Sequence, residues 1–361
     1  MNEFTFINKI AALLLLTASI DTSAQEDWDV AIGPPMLVPI PTNPVHYYSN
    51  DSRFPFLSNS DGTANITFWV DGLNFRSLGA SLDTMGPIQP TNSVLSGPPG
   101  TFDNGGAWLL NAIRRPDGVI VGFYHAEDHS AVPRTEWNSM GVALSNDDGA
   151  SFRKLGQIIG IPNRGHGNGG LAANTVVWDH LAGRWLAWGG AYAFESTNTD
   201  ARPGTWRGYD TNGQFTVAVP CDNIDHLGRL PGLDGNCSSQ AVTWNDCLNC
   251  YLMLYTRWGD EREVFVATST NGIVWSHPRT LLMMPVDEKL AYPFIIGATG
   301  ERAGADAWLI YQRTPPTQPG RYRDMIQRKI HFKTTKPQNE PKAASEAPRA
   351  KARGIQAKAS E

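Results

Sequence analysis

The sequence has 361 residues, of which 41% are hydrophobic and 18% are charged, and its formal net charge is −5. The charged fraction is below that of an average domain, and the hydrophobic fraction is too high for a disordered chain. The many Gly, Pro and aromatic residues exclude a helical bundle and favour short strands joined by turns. The negative charge argues against a nucleic-acid partner.

The first 24 residues have the pattern of a secretory signal peptide. Lys9 precedes the apolar run Ile10–Ile20, and small residues at Thr22 and Ala24 suit a cleavage site. No later segment is long and apolar enough to span a membrane. The sequence therefore predicts a secreted or periplasmic protein without a membrane span.

Four cysteines occur within 30 residues of one another. In an exported protein they are expected to pair, and the simplest pairing is Cys221–Cys237 and Cys247–Cys250. Four cysteines allow three connectivities. A zinc site, formed by the Cys247-x-x-Cys250 motif with His226 and another cysteine, is the alternative.

The central part of the chain has a weak internal repeat. Apolar segments with aromatic residues near their polar ends recur five times, and about four strands fit into each repeat. This predicts an all-β fold, a five-bladed β-propeller with four antiparallel strands per blade, with a β-sandwich as the alternative. The marker aromatics of the repeats are Trp69, Tyr124, Trp188, Tyr255 and Tyr311.

Two turn motifs support the propeller. Ser145–Phe152 fits the Asp-box pattern Ser-x-Asp-x-Gly-x-x-aromatic, and Ser269–Trp275 is a shortened form of it. Asp or Asn with Gly stabilises a tight hairpin, and the last aromatic is expected to pack between blades. These motifs indicate fold and carry no chemistry.

On these repeats and turns, residues 45–333 resemble the five-bladed propellers of the arabinanase, levansucrase and invertase type, with sialidases as more distant relatives. The resemblance implies a monomeric enzyme acting on a poly- or oligosaccharide, with its site at the funnel mouth formed by the innermost strand of each blade. Residues 25–44 are then an N-terminal extension that lies against the propeller or helps to close its last blade, and residues 334–361 form a disordered tail.

The first two repeats supply polar residues directly before their first strand. In the segment Asn50–Pro55, the resemblance suggests Asp51 as a carboxylate and Arg53 as an anion clamp in substrate binding. Asp103 precedes the first strand of the second repeat and is a candidate catalytic residue, although an Asp in an Asp-Asn-Gly-Gly loop is also an ordinary turn residue.

The segment Phe123–His129 is the densest in ionisable side chains. Strand alternation places His125 and Glu127 on one face, where an imidazole beside a carboxylate can act as acid or base. His129 is a weaker candidate. A polar strand end with a surface ion pair is the structural alternative.

The glycine-rich loop Asn163–Gly170 places two further candidates before the third repeat, His166 as a catalytic and Asn168 as a substrate-binding residue. Here the resemblance fails, because invertase-like enzymes have an acidic residue at this position and this chain has none between Asn163 and Trp178. Glu195 is another possible acid. The remaining candidates are Tyr292 as a catalytic residue and Trp188, Arg257 and Arg313 as substrate-binding residues.

Three functions remain open. A glycoside hydrolase would use two carboxylates from Asp51, Asp103 and Glu127. A polysaccharide lyase would use His, Tyr and Arg to remove the α proton of a uronate. A glycan-binding propeller would only stack sugars on its aromatic residues. No cofactor and no metal ligand is assigned, but acidic loops leave Ca²⁺ in the axial channel open.

Overall fold

A computed structural model describes residues 27–39, 52–71, 73–90, 97–130, 136–161, 169–233, 235–314 and 324–335. The predicted signal peptide and almost all of the predicted tail lie outside these residues. Within the described ranges, no helix has the length and apolar character needed to cross a membrane. The two helical segments there, Leu82–Thr84 and Ile224–His226, are single 3₁₀ turns.

The rest of the regular structure is β-strand. In chain order the strands are β1 (Trp28–Ile32), β2 (Met36–Leu37), β3 (Phe56–Ser58), β4 (Asn65–Asp71), β5 (Leu73–Gly79), β6 (Gln89–Pro90), β7 (Gly106–Arg114), β8 (Ile120–Asp128), β9 (Trp137–Ser145), β10 (Arg153–Ile159), β11 (Thr175–Asp179), β12 (Arg184–Gly189), β13 (Tyr192–Ser196), β14 (Arg207–Tyr209), β15 (Phe215–Ala218), β16 (Cys237–Asn245), β17 (Cys250–Arg257), β18 (Asp260–Ser269), β19 (Arg279–Met283), β20 (Lys289–Ile296), β21 (Arg302–Ala303), β22 (Asp306–Thr314) and β23 (Asp324–Thr334).

These strands form five sheets, the blades of a five-bladed β-propeller, which confirms the predicted fold class. From the axis outward, blade one is β3–β6, blade two is β7–β10 and blade three is β11–β15. Blade four is β16–β19, with β21 parallel to β16. Blade three therefore has a fifth strand beyond the predicted four, because the segment after β13 folds back as a further hairpin.

Blade five joins the two ends of the described chain. Its inner strands are β20, β22 and β23, and β1 forms its outer edge, with Trp28 opposite Thr334. Strand β2 also pairs with β23. Part of the predicted N-terminal extension is thus a strand of the propeller. Pairing of the first strand with the last sheet covers the edge of β23 and ties the two ends of the described chain together in one blade.

Hydrogen bonds between neighbouring blades surround the axis. They satisfy polar groups that the buried inner strands cannot pair within their own sheets. Together they connect all five blades in a closed ring. The bonded pairs are Asn74 and Leu109, Asn111 and Val176, Thr175 and Val242, Trp244 and Glu301, and Gly300 and Phe56.

The predicted Asp-box turns have their expected geometry. In the first, the Ser145 hydroxyl accepts from the Gly149 amide at 2.9 Å, and Phe152 is buried between blades one and two. In the second, the Ser269 hydroxyl accepts from the Gly272 amide at 2.8 Å, and Trp275 is buried between blades three and four. Both motifs lie where the third strand of a blade turns into the fourth, and they hold blades together.

The cysteines differ from the prediction, because none of the four is in a disulfide. Cys221 packs in the core between blades two and three, whereas Cys237 packs in the core between blades three and four. Cys247 and Cys250 flank a hairpin turn in which Cys250 is opposite Asn245. The zinc alternative finds no support among the described residues, where no cysteine belongs to a cluster of metal-ligand type.

Candidate functional site

The predicted site residues on the second strands lie at one end of the propeller. We call the end at which the inner strands begin the upper face, and the end at which they finish the lower face. The second strand of each blade is antiparallel to the first and therefore finishes at the upper face. Four of the predicted residues lie on these second strands, opposite the first residues of the inner strands, and therefore at the upper face. They are His125, Glu127, Arg257 and Arg313.

The main cluster of ionisable groups at the upper face is on β8 of blade two. The Glu127 carboxylate accepts a hydrogen bond from each of two imidazoles, His125 Nε2 at 3.3 Å and His129 Nε2 at 2.7 Å. Burial raises the pKa of Glu127, but the hydrogen bonds from the two histidines outweigh it, so the pKa lies below its usual value. Glu127 is therefore an ionised, partly exposed carboxylate at neutral pH.

The inner strand of the same blade supports this cluster. The Trp108 indole lies 5.6 Å from the His125 ring and is partly exposed. Gly105 donates its amide to the Glu127 carbonyl at 2.8 Å, and a Cβ at this glycine would lie 2.2 Å from His129 Cγ. Glycine is thus required here for the imidazole to reach Glu127, so Gly105 has a positioning function that the sequence alone did not reveal.

A second carboxyl group reaches the same place. Glu136, just before β9, is exposed, and it offers an oxygen within 4.8 Å of the ligand atoms of Glu127 and His129. These three residues are the only group in the described part of the chain that could share a cation, and an imidazole among them suits a transition metal better than Ca²⁺. Sequence reasoning missed Glu136, although its position beside the end of β8 follows once β8 and β9 are paired.

Three predicted residues lie outside the described ones: Asp51, His166 and Asn168. The described ends of the loop that contains His166 and Asn168 are fixed on β9. The Ile161 carbonyl accepts from the Trp137 indole at 2.6 Å, and the Gly169 carbonyl accepts from the Asn138 amide at 2.7 Å.

Tyr292 lies on the inner strand of blade five in an unusual backbone conformation. Its φ is +50°, and the register of β20 shifts between Ala291 and Phe294. Ser239 has φ +55° at the corresponding shift on the inner strand of blade four. A bulky residue with positive φ costs conformational energy and is typical of functional positions. Tyr292 is half-buried near the start of its strand, at the upper face.

The three predicted arginines all bind other parts of the protein. Arg53 is 4% exposed and donates to the Thr175 hydroxyl at 2.7 Å. The Arg257 guanidinium lies 4.0 Å from the centre of the Phe265 ring. Arg313 donates to Asp324 at 2.8 Å. Arg53 therefore links blades one and three inside the axial channel and is not placed to bind a ligand as an exposed clamp.

Asp103 and Trp188 have packing environments in the structure. Asp103 is buried, with Lys154 of the outer strand β10 at 2.6 Å, so its charge is neutralised by this ion pair. Trp188 is fully buried between blades three and four, and its indole donates to the Gly272 carbonyl at 2.8 Å. Neither is exposed for contact with a sugar. Glu195 accepts from Arg184 at 2.6 Å near the lower face.

We expect Asp103→Asn to lower the free energy of unfolding by about 2 kcal/mol, because it removes a buried charge from its ion pair with the partly exposed Lys154. Urea denaturation measures the effect. In a double-mutant cycle with Lys154→Met, the two losses should be strongly non-additive. Additive losses would show that the ion pair contributes nothing.

A partly exposed carboxyl group, Glu301, lies near the lower face, within electrostatic reach of Arg53. Burial raises the pKa of this carboxyl to about 7, against the opposing effect of the Arg53 charge. Burial also lowers the pKa of Arg53, to about 10. The Arg53 guanidinium is therefore charged at neutral pH, whereas the Glu301 carboxyl group is mostly protonated below pH 7.

This pKa predicts a pH-dependent stability. The unfolded chain ionises Glu301 near the ordinary glutamate pKa of 4.5 and the folded chain only near 7, so stability is lost as pH rises between these values. The total loss is up to about 3 kcal/mol. Glu301→Gln should abolish this loss of stability. In denaturant titrations, the free energy of unfolding of the variant should therefore rise relative to that of the natural protein between about pH 5 and about pH 8. Parallel pH profiles of the two proteins would contradict the prediction.

Comparison with known proteins supports the fold and no particular family. No family model matches the sequence, and no curated protein matches it. Solved structures do match. An α-L-arabinanase from Cellvibrio cellulosa is 11% identical with a TM-score of 0.50, and the match covers 75% of this chain and 90% of the arabinanase.

Two further solved structures agree with this result. Zg3597, a family 117 glycoside hydrolase from Zobellia galactanivorans, is 10% identical with a TM-score of 0.50, over 86% of each chain. A protein from Bacteroides ovatus is 12% identical with a TM-score of 0.52, over 77% of this chain and 85% of that one. The chain is thus a five-bladed β-propeller of the kind that includes glycoside hydrolases. At these identities the likeness concerns the fold alone.

Proposed function

We propose that this protein is a glycoside hydrolase that cleaves a poly- or oligosaccharide at the Glu127 cluster of the upper face. The observation that carries the proposal is a partly exposed, ionised carboxylate held by two imidazoles, with a second carboxyl group within 4.8 Å. Most glycoside hydrolases use such a pair of carboxyl groups. The arabinanase and the family 117 hydrolase show that this fold supports the reaction in other proteins.

One oxygen of each carboxyl group lies within 4.8 Å of the other, which is closer to the spacing of about 5–5.5 Å in retaining enzymes than to the wider spacing in inverting ones, so the reaction we propose retains configuration. Glu136 gives a proton to the glycosidic oxygen while the Glu127 carboxylate attacks the anomeric carbon, and the alcohol leaves. The Glu136 carboxylate then takes a proton from water, whose oxygen attacks the anomeric carbon of the glycosyl ester. The sugar leaves, and Glu127 is again a carboxylate.

The remaining residues of the cluster orient these groups. His125 and His129 donate to the two Glu127 oxygens, which fixes the carboxylate plane and favours its ionised form before the attack. Trp108 offers a partly exposed aromatic surface beside His125, on which a sugar ring can stack. An extracellular polysaccharide as substrate suits the export that the N-terminal segment predicts.

Elimination by a lyase is the less suitable reaction for this arrangement. It requires a cation that neutralises the substrate carboxylate. Each of the three arginines predicted for substrate binding, all within the described residues, already has a partner: Thr175 for Arg53, the Phe265 ring for Arg257 and Asp324 for Arg313. We therefore propose hydrolysis as the reaction.

The mature protein tested on neutral and uronate-containing polysaccharides distinguishes these functions. Release of reducing ends without ultraviolet absorbance of an unsaturated uronate supports the hydrolase, and NMR of the first product should show the retained anomer. Both signals together would indicate a lyase, and binding without either would indicate a lectin. Loss of activity with a chelator would replace the two-carboxylate mechanism with a metal-dependent one.

A further inference from the structure

The lower face contains a cavity that no part of the proposed mechanism uses. Its volume is about 800 Å³, which is within the range of small-molecule binding sites. It lies where the inner strands β7, β11 and β16 end, and the segment Thr299–Arg302 completes its wall. The Glu127 cluster is at the other end of these strands, so the cavity and the cluster are separate sites.

Two equivalent aromatic pairs line this cavity. Trp178 and Trp244 are each the last residue but one of their inner strands, in blades three and four. Each lies opposite an aromatic residue of the second strand, Trp185 at 4.8 Å and Tyr251 at 4.9 Å between ring centres. Trp178 and Trp244 are partly exposed, so neighbouring blades present two indole surfaces to the same cavity. Such surfaces stack on the apolar faces of sugar rings.

The ionised side chains around the cavity are neutralised within the protein. Each arginine of the lining has a carboxylate partner, and each aspartate has an arginine partner. The pairs are Arg114 with Asp148 at 2.7 Å, Arg302 with Asp246 at 2.9 Å, Asp179 with Arg184 at 3.4 Å, and Arg115 with both Asp117 and Asp200. A charged ligand would find no unpaired counter-charge here.

The two remaining groups of the lining that titrate near neutral pH, Glu301 and His180, are mostly neutral just below pH 7. Burial raises the pKa of Glu301 to about 7. Burial, with the nearby charge of Arg302, lowers the pKa of His180. Both groups keep their hydrogen-bonding capacity in the neutral form. The cavity thus combines aromatic surfaces with hydrogen-bonding groups and little net charge.

We propose that the lower cavity is a second carbohydrate-binding site, which takes an uncharged sugar segment between Trp178 and Trp244. Sugar hydroxyls would donate to Asp246 and accept from Arg302, whose side chains are about half exposed at the rim. Because binding at this site needs no turnover, the proposal does not depend on the hydrolase function.

Calorimetric titration of the Glu127→Gln variant tests this proposal, because that variant should bind without cleaving. The probes are arabino-, galacto- and cello-hexasaccharides, with a hexagalacturonate as the charged comparison. At least one neutral hexasaccharide should bind, and Trp244→Ala in the same background should weaken one component of that binding about tenfold or more, while binding at the upper face remains. Arg302→Ala should also weaken it, and because its ion pair is exposed, this variant should retain its fold.

Trp258→Ala is the matched control. Trp258 is 68% exposed in the turn between β17 and β18 at the upper face, so its loss should leave binding at the lower cavity unchanged. The proposal fails if no neutral hexasaccharide binds, or if Trp244→Ala and Arg302→Ala both leave every binding component of the isotherm unchanged. Tighter binding of the galacturonate at this cavity would also overturn it, because the ligand would then be an anion.

Discussion

Glu127→Gln should reduce kcat by about 10³-fold on any substrate that the protein hydrolyses. The amide has nearly the shape of the carboxylate and can still accept hydrogen bonds, but it cannot attack an anomeric carbon as an anion. KM should change little, because the substitution leaves the Trp108 surface in place. Steady-state kinetics on a chromogenic glycoside or an oligosaccharide measures both constants.

Glu195→Gln is the matched control for this experiment. Glu195 is also a partly exposed glutamate on a β-strand, but it holds Arg184 near the lower face, and its substitution should leave kcat unchanged. Exogenous azide should restore part of the activity of Glu127→Gln on an activated substrate if Glu127 is the nucleophile. Equal activity of the two variants would remove Glu127 from the mechanism.

Trp188→Ala should lower the free energy of unfolding by about 3–5 kcal/mol. The side chain is fully buried, and the Trp275 and Tyr251 rings lie 6.1 and 5.9 Å from it. The substitution also leaves the Gly272 carbonyl without its indole donor. A cavity between blades three and four would follow, and chemical denaturation measures its cost.

A surface tryptophan provides the comparison. Trp258→Ala should change the unfolding free energy by no more than about 0.5 kcal/mol. Trp188→Phe should cost less than Trp188→Ala, because the ring keeps part of the packing. A small effect of Trp188→Ala together with weaker substrate binding would restore the sugar-binding role predicted from the sequence.

The fold was predictable because each blade repeats the same solution to the same packing problem. Trp69, Tyr124, Trp188, Tyr255 and Tyr311 recur at similar spacings, and all of them are buried in the structure. The Asp-box turns at Ser145 and Ser269 were predictable because their hydrogen bonds join residues only three or four positions apart. The fifth strand of blade three was less predictable, since β14 and β15 are short and partly exposed.

The candidate site was predictable only in part. Alternation along β8 correctly placed His125 and Glu127 side by side at a strand end, because both residues belong to one short segment. Asp103, Arg53 and Trp188 also have side-chain types that suit catalysis or sugar binding. Their partners Lys154, Thr175 and Gly272 are between about 50 and 120 residues away in the sequence, so only tertiary structure reveals that they are engaged.

The pairing of β1 with β23 affects how the chain can assemble during its synthesis. Trp28 and Thr334 are 306 positions apart, so blade five is incomplete until almost the entire chain has been made. Contacts of such long range form slowly and expose unpaired strand edges in the meantime. Blades one to four can fold as they emerge, whereas β1 must wait for β23. A nascent chain halted before Asp324 would therefore present an open ring, with the edges of β22 and β1 available for aberrant association.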